Sequence, residues 1–280
     1  MPAGSVLPVE IHFHPAGDDE AEFIELMNVS NGAVNLRGCQ FVAGINFAFS
    51  LYRDTLLAPG QRLVLVESEF IHRKRYGWDR TIGGIYAGKL SNAGDSLVFN
   101  SGTNRVFGFD FSTAWQSLTD GGGPSLTLIH PRPGLNLTEP TNWRPSSGPE
   151  GSPAAADGGS SFVGSAAADA DGDGLNAFME YALGGSDSVP DATGGVSVTL
   201  LPGGGLRFSY IRAPAADDAL VIPEVSSDMA NWHAGSSWLM PGAQEKLPDG
   251  RLLSHFTAGP DLLAAASRAF FHLRIAQRPQ

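Results

Sequence analysis

The sequence predicts an all-β protein built from two β domains, and three observations carry that prediction. Short segments of alternating or continuous apolar residues recur along the chain. Glycine (35) and proline (19) of 280 residues interrupt them at close intervals, which suits turns and excludes a helix bundle. Only two stretches have helical character. A hydrophobic content of 42% supplies a real core, so wholesale disorder is excluded.

The first strand is predicted at Val9 to His14, where Val9, Ile11 and Phe13 alternate with Glu10, His12 and His14. Pro15 to Asp19 reads as a turn, and Glu22 to Asn28 as the next strand, closed by Ser30-Asn31-Gly32. Further strands are expected at Gly38 to Val42, Ile45 to Phe49, Arg62 to Glu67, Ser96 to Asn100, Val106 to Phe111 and Ser125 to Ile129. Pro59-Gly60 announces the Arg62 strand, and Glu69 to Tyr76 is the short helix. Strands this frequent predict a sandwich or barrel.

Residues 145–168 hold two charged residues and no period, which predicts a flexible Gly/Ser/Ala/Pro linker. Beyond the calcium-type motif described next, Val196 to Leu201, Leu206 to Ile211, Ala219 to Val225, Leu252 to Thr257 and Ala269 to Ile275 read as strands. Pro202 to Gly205 reads as the hairpin turn between the first two. The expected map is therefore a sandwich at 1–147, a linker at 148–168, a loop and helix at 169–185, and a second small β-sandwich-like domain at 194–277.

Residues 169–180, Asp-Ala-Asp-Gly-Asp-Gly-Leu-Asn-Ala-Phe-Met-Glu, match D-x-[DN]-x-[DN]-G-x5-E at every position. Calcium takes about six to eight oxygen ligands. The expected metal ligands are Asp169, Asp171 and Asp173 through carboxylate oxygens, Leu175 through its carbonyl, and Glu180 through both oxygens. Gly174 would make the sharp turn. The competing reading is an acidic turn in which Asp173 caps the helix Asn176 to Leu183, itself stopped by Gly184-Gly185. No second helix precedes the loop in the pattern. The expected role is a structural clip between domains, with Ca²⁺ as the only cofactor, and not a sensor that opens a groove.

The run DADGDGLNAFMEYALG resembles the calcium repeats of thrombospondin type 3 and dockerin-like modules, and more closely an Asp-rich spacer of exported bacterial proteins. It departs from dockerins in carrying one loop. The blocks VEIHFHPAGDDEAEFIELMNVSNGAVNLRGCQF, INFAF, LAPGQRLVLV, GKLSNAGDSLVF, DGGGPSLTLIHP and NWRPS resemble a bacterial lamin-tail domain over residues 5–147. That resemblance implies an immunoglobulin-like β-sandwich. Ile11-His12 stands where such domains usually carry Asn-Glu. Pro223 to Trp232 and Ala269 to Arg274 are similar to a module that often follows the Asp-rich spacer, and this supports a third, sandwich-like unit.

Eighteen Lys and Arg against 29 Asp and Glu leave a formal charge of −11, which disfavours nucleic acid and anionic membranes as partners. No apolar run reaches the ~20 residues of a membrane span. One cysteine excludes an intrachain disulfide, and Cys39 reads as a buried, unreactive thiol. Several chemical readings are set aside. His12 and His14 share a strand face, which an exposed polar face explains without a metal. Glu22 and Glu25 are three apart, so on a strand they face opposite sides and make no acid–base pair; Glu22 reads as surface and Glu25 as a satisfied group at the core edge. Gly83 to Gly88 reads as a mobile loop, and His72 to Arg75 as a solvated basic helix end. No serine elbow occurs.

The functional expectation is a noncatalytic, exported or cell-surface structural or interaction protein. Its partner would be a protein, a cell-surface or matrix component, or a glycan. Two alternatives stand beside it, a carbohydrate-binding module and an accessory region of an exported hydrolase. Met1 to Ser5 carry no leader pattern, so the expectation is of a cytoplasmic protein or a piece of a longer exported chain. The oligomeric state is left open.

Overall fold

The computed structural model describes residues 1–190, 195–202, 204–265 and 268–279. Residue 194, where the second β domain was expected to open, and Gly203 of the expected hairpin lie outside the described residues. The chain divides into two compact units, Met1–Gly158 and Gly159–Gln280.

Unit 1 runs through β1 (Val6–His12), β2 (Phe23–Asn28), β3 (Val34–Asn35), β4 (Cys39–Ala43), β5 (Leu56–Leu57), β6 (Arg62–Val66), α1 (Glu69–Tyr76), β7 (Gly84–Ile85), β8 (Ser96–Ser101), β9 (Asn104–Asp110), β10 (Leu126–Leu128) and β11 (Trp143–Pro145). A six-stranded sheet has the order β11-β10-β1-β2-β6-β7, a three-stranded sheet the order β4-β8-β9, and β3 pairs with β5. This is an all-β, immunoglobulin-like architecture. Antiparallel register sorts side chains by the period of two. One row, Leu126, Ile11, Ile24 and Leu65, lies on the apolar core. That core also holds Phe13, Phe99, Phe107 and Trp143, whose indole stacks on Phe109 at 5.5 Å and donates its N–H to the Leu137 carbonyl at 2.9 Å.

The adjacent row on the other face, Arg144, Thr127, Glu10 and Glu25, is polar yet also buried. Every residue of β1 is buried, so the expected exposed face of the first strand does not exist. Two things cover it. The first is α1, whose Tyr76 and His72 pack edge-on to Phe23. The second is the chain after β11. The Ser152 amide and hydroxyl donate to Glu10, and the Ala154 amide donates to Glu25 at 2.6 Å. Arg144 pairs with Asp157 in a buried ion pair and also donates to the Asp157 carbonyl at 2.8 Å. Residues 148–157, expected as flexible linker, are thus a strap on unit 1. Composition registers their lack of apolar surface but not the polar row waiting beneath them.

The same coverage corrects other expectations. Glu22 is fully buried, with Oε2 accepting from the Leu90 amide and the Tyr86 hydroxyl, and burial raises its pKa to about 7. Glu25 is also fully buried; burial raises its pKa to about 7 against the opposing charge of Arg62. His12 faces the Gly123 carbonyl at 3.0 Å, and burial pushes its pKa down to about 3. His14 instead meets Asp120 at 2.6 Å, so the two rings serve different partners. His72 is buried too, with its pKa lowered to about 4, while Arg73 donates to the carbonyls of Trp78 and Arg80. The basic run is therefore tied into the fold and is not a free helix end. Ile45 to Phe49 forms isolated bridges and no strand. The glycine run supplies β7, where a Cβ on Gly84 would meet the Phe47 ring at 2.3 Å. Cys39 is free and buried, and burial raises its pKa.

Unit 2 contains α2 (Ala177–Leu183), β12 (Val196–Leu200), β13 (Leu206–Arg212), β14 (Ala219–Ser226), β15 (Leu239–Lys246), β16 (Leu252–Ala258), α3 (Pro260–Ala265) and β17 (Phe270–Gln277). One sheet has the order β12-β13-β16-β15, and β14 pairs with β17. Leu239–Lys246 is a strand the sequence reading omitted. Phe208 stacks on Phe271 at 5.2 Å, beside a small cluster of Val225, Leu239 and Leu262. A separate cluster joins Phe178 and Ala182 of α2 to Ala216 and Ala219.

Candidate metal centre

The loop that precedes α2 is folded by its own aspartates. Asp169 Oδ1 accepts the Gly172 amide at 2.8 Å, and its Oδ2 accepts the Gly174 amide at 3.2 Å. Asp171 accepts from the Asp173 amide, and Asp173 from the Leu175 amide at 2.8 Å. Gly172 and Gly174 have φ of +76° and +94°, which a β-carbon disfavours. Asn176 caps the helix, its side chain accepting from the Met179 amide at 3.0 Å. Asp173 is therefore not the cap; its carboxylate instead bonds the Leu175 amide within the loop.

The result is a convergence of acids. One oxygen each from Asp169, Asp171 and Asp173 lies within 4.8 Å of the others. Glu180, one helical turn beyond the N-cap, stands outside that tight triplet but close to it. Its pKa is raised, first by burial and then by the charges of Asp171, Asp173 and Asp187. Glu180 is only 2% exposed and neither of its oxygens accepts a hydrogen bond of normal geometry, the Ser186 amide acting on it from outside that range; Asp171 Oδ2 is buried and unpartnered. Such atoms cost free energy unless something outside the protein meets them. The donor set is all oxygen and strongly anionic, the chemistry of a hard divalent cation. In kind it fits the hard cation that the sequence pattern led one to expect.

The opposite side of α2 holds chain. Phe162 meets Phe178 at 5.2 Å and Tyr181 at 5.5 Å between ring centres. The Tyr181 hydroxyl donates to the Ser160 carbonyl, and the Ser160 amide donates to Ala215 at 2.7 Å. Residues 160–168 are thereby seated on unit 2 rather than spanning open solvent. One acid escaped the sequence reading. Asp187 accepts the amide of Ala170, the second loop position, at 3.0 Å. It lies outside the loop pattern, and only the reversal of the chain at Gly184, φ +78°, brings it back.

In unit 1, Lys89 bridges Asp19 at 2.8 Å and Glu67 at 3.7 Å beside Glu22. In unit 2, Ser209 Oγ meets His255 Nδ1 at 2.7 Å, and His255 Nε2 lies 3.4 Å from Glu245 Oε1.

The chain matches the Lamin Tail Domain family over residues 1–120. The matched segment covers β1 to β9 and ends before β10 and β11, which complete the six-stranded sheet. Domains of that family have an immunoglobulin-like fold, and the all-β architecture of the matched segment is consistent with it. No curated protein and no solved structure matches the chain. Among the described residues, no helix is long and apolar enough to cross a membrane.

Proposed function

We propose that this chain is a noncatalytic structural or interaction protein of the cell surface or extracellular space, in which a lamin-tail-like sandwich is joined to a second β unit through a calcium-dependent clip. The observation that carries the reading is Glu180, buried beside the charges of Asp171 and Asp173 with neither oxygen in a hydrogen bond of normal geometry. Calcium held by Asp169, Asp171, Asp173, the Leu175 carbonyl and Glu180 would offset the mutual repulsion of the carboxylates and tighten α2. Because α2 also seats Phe162 and Ser160, tightening it fastens the entering chain to unit 2. The cation thus acts as a fastener for the connector, with no groove to open.

A single loop lacks the paired loop that preorganises a helix–loop–helix site. Affinity on the order of 10⁻⁴–10⁻³ M is expected, the range of extracellular modules, and this supports export. The sandwich supplies the interaction surface for a protein or matrix partner. Calorimetric calcium titration of the full chain, set against Asp171→Ala with Glu180→Ala, tests the reading. Saturable heat in the wild type and none in the double variant is the expected result. Equal heats, or none at several millimolar calcium, would reduce the loop to an acidic turn.

A further inference from the structure

Asp187 lies seven residues beyond the last position of the loop pattern, yet it closes on the loop. Its Oδ1 accepts the Ala170 amide at 3.0 Å, tying the segment after α2 to the segment before it. The turn that returns it is made by Gly184 in the left-handed region, whose amide, like that of Gly185, donates to the Glu180 carbonyl. A Cβ on Gly185 would sit 3.2 Å from Glu180 Oε1, so the return strand runs directly along the buried carboxylate. The second, independent sign of a ligand is Glu180 itself, 2% exposed, with neither oxygen in a hydrogen bond of normal geometry and only the Ser186 amide acting on it from beyond that range. The charge of Asp187 is felt there alongside those of Asp171 and Asp173.

We infer that Asp187 is a fifth acidic group of the cation site, supplied by the turn after α2 in place of the partner helix that the loop lacks. The inference rests on the calcium reading above and extends it. Three aspartates, one carbonyl and a bidentate glutamate give about six oxygens, the lower end of what calcium takes. A further carboxylate adds negative charge where the cation sits and either joins the coordination or holds a ligating water. It also closes the loop at Ala170, so that cation binding pulls both ends of α2 toward one point.

The test is calorimetric calcium titration of the full chain as wild type, Asp187→Asn and Asp187→Ala, with thermal melts of each in chelator. Asparagine keeps an acceptor for the Ala170 amide and removes only the charge. Asp187→Asn is expected to bind calcium about tenfold more weakly, equivalent to about 1.4 kcal/mol. Its melt in chelator should be unchanged or slightly higher, because one repelling charge is gone. Asp187→Ala should lose affinity and also melt lower in chelator, since the loop tie is cut. Wild-type affinity in Asp187→Asn overturns the role of Asp187 and leaves the loop reading standing. A wild type that takes up no calcium overturns both.

Discussion

Glu10 in the sandwich and Glu180 beside the acidic loop are equally hidden, 1% and 2% exposed, and burial raises the pKa of each. Their surroundings differ in kind. Glu10 accepts from the Ser125 hydroxyl and from the Ser152 amide and hydroxyl. The protein has closed its own account there, and the carboxylate serves as an anchor for the strap at 148–157. Glu180 faces the charges of Asp171, Asp173 and Asp187, and the Ser186 amide reaches it only outside normal hydrogen-bond geometry. A buried acid that the fold satisfies is structural; one that the fold leaves open is a place for something from outside. The comparison separates these two carboxylates more sharply than burial or charge does.

The largest expected effect lies on the satisfied side. Asp157→Ala leaves Arg144 buried without its carboxylate, and loss of one partner of such a pair costs about 3–5 kcal/mol. Denaturant unfolding of the full chain should show the loss in the transition of unit 1. A change below about 1 kcal/mol would mean that the strap contributes nothing to the sandwich.

On the open side, calcium at about a hundred times its dissociation constant should stabilise unit 2 by about 2.7 kcal/mol through mass action. Glu180→Gln should abolish that response and yet melt slightly higher than wild type in chelator, since it removes one repelling charge from a buried site. Glu10→Gln should show the reverse pattern: indifference to calcium, and a small loss of about 1 kcal/mol at any calcium level, because the amide repeats only part of the hydrogen bonding. If Glu180→Gln and Glu10→Gln behave alike, the distinction between the two carboxylates fails.

Acidity offers a finer probe. Glu22 titrates near 7 in the folded unit against an ordinary 4.5. Folding therefore favours its protonated form. The stabilisation is fully present below pH 4.5 and is lost as pH rises through 7. His12 and His72, lowered to about 3 and 4, work in the opposite sense; their share is present above 6.5 and lost as pH falls toward those values. The opposed contributions damp the overall profile, so a difference is needed. Between pH 4.5 and 7 the wild type should lose stability relative to Glu22→Gln by on the order of 1–3 kcal/mol, read from paired melts. A constant gap across that window would contradict the buried, proton-retaining state of Glu22.

The smallest effect is one of position. Limited proteolysis should cut near Gly158-Gly159, where the two units divide, and spare 148–157. In chelator, cleavage should extend toward residue 168 as α2 loosens its hold on Phe162. Cuts first at Gly151 to Ala156 would restore the strap to the status of a linker.

Much of the fold was legible because its cause is local. Alternation in Val9, Ile11 and Phe13 and the turn residues at Asn31-Gly32 act over a few residues, and the structure follows them; the helix caps Ser68 and Asn176 emerged only in the structure, where Asp173 had been the expected cap. The loop pattern was legible for the same reason. Ile45 to Phe49 was misread because apolar alternation cannot say whether a neighbouring strand is present to pair with it.

What the sequence by itself determined is therefore the all-β class, the position of the acidic loop and the helix that follows it. Tertiary structure alone decided which face of β1 would be covered, that Glu10, Glu22 and Glu25 would be buried, that a polar, glycine-rich stretch would become a strap, and that Asp187 would return to the loop. The physical reason is range. Propensity and periodicity describe a residue and its next few neighbours, whereas the partner of a buried carboxylate can stand more than a hundred residues away, as Ser152 does from Glu10.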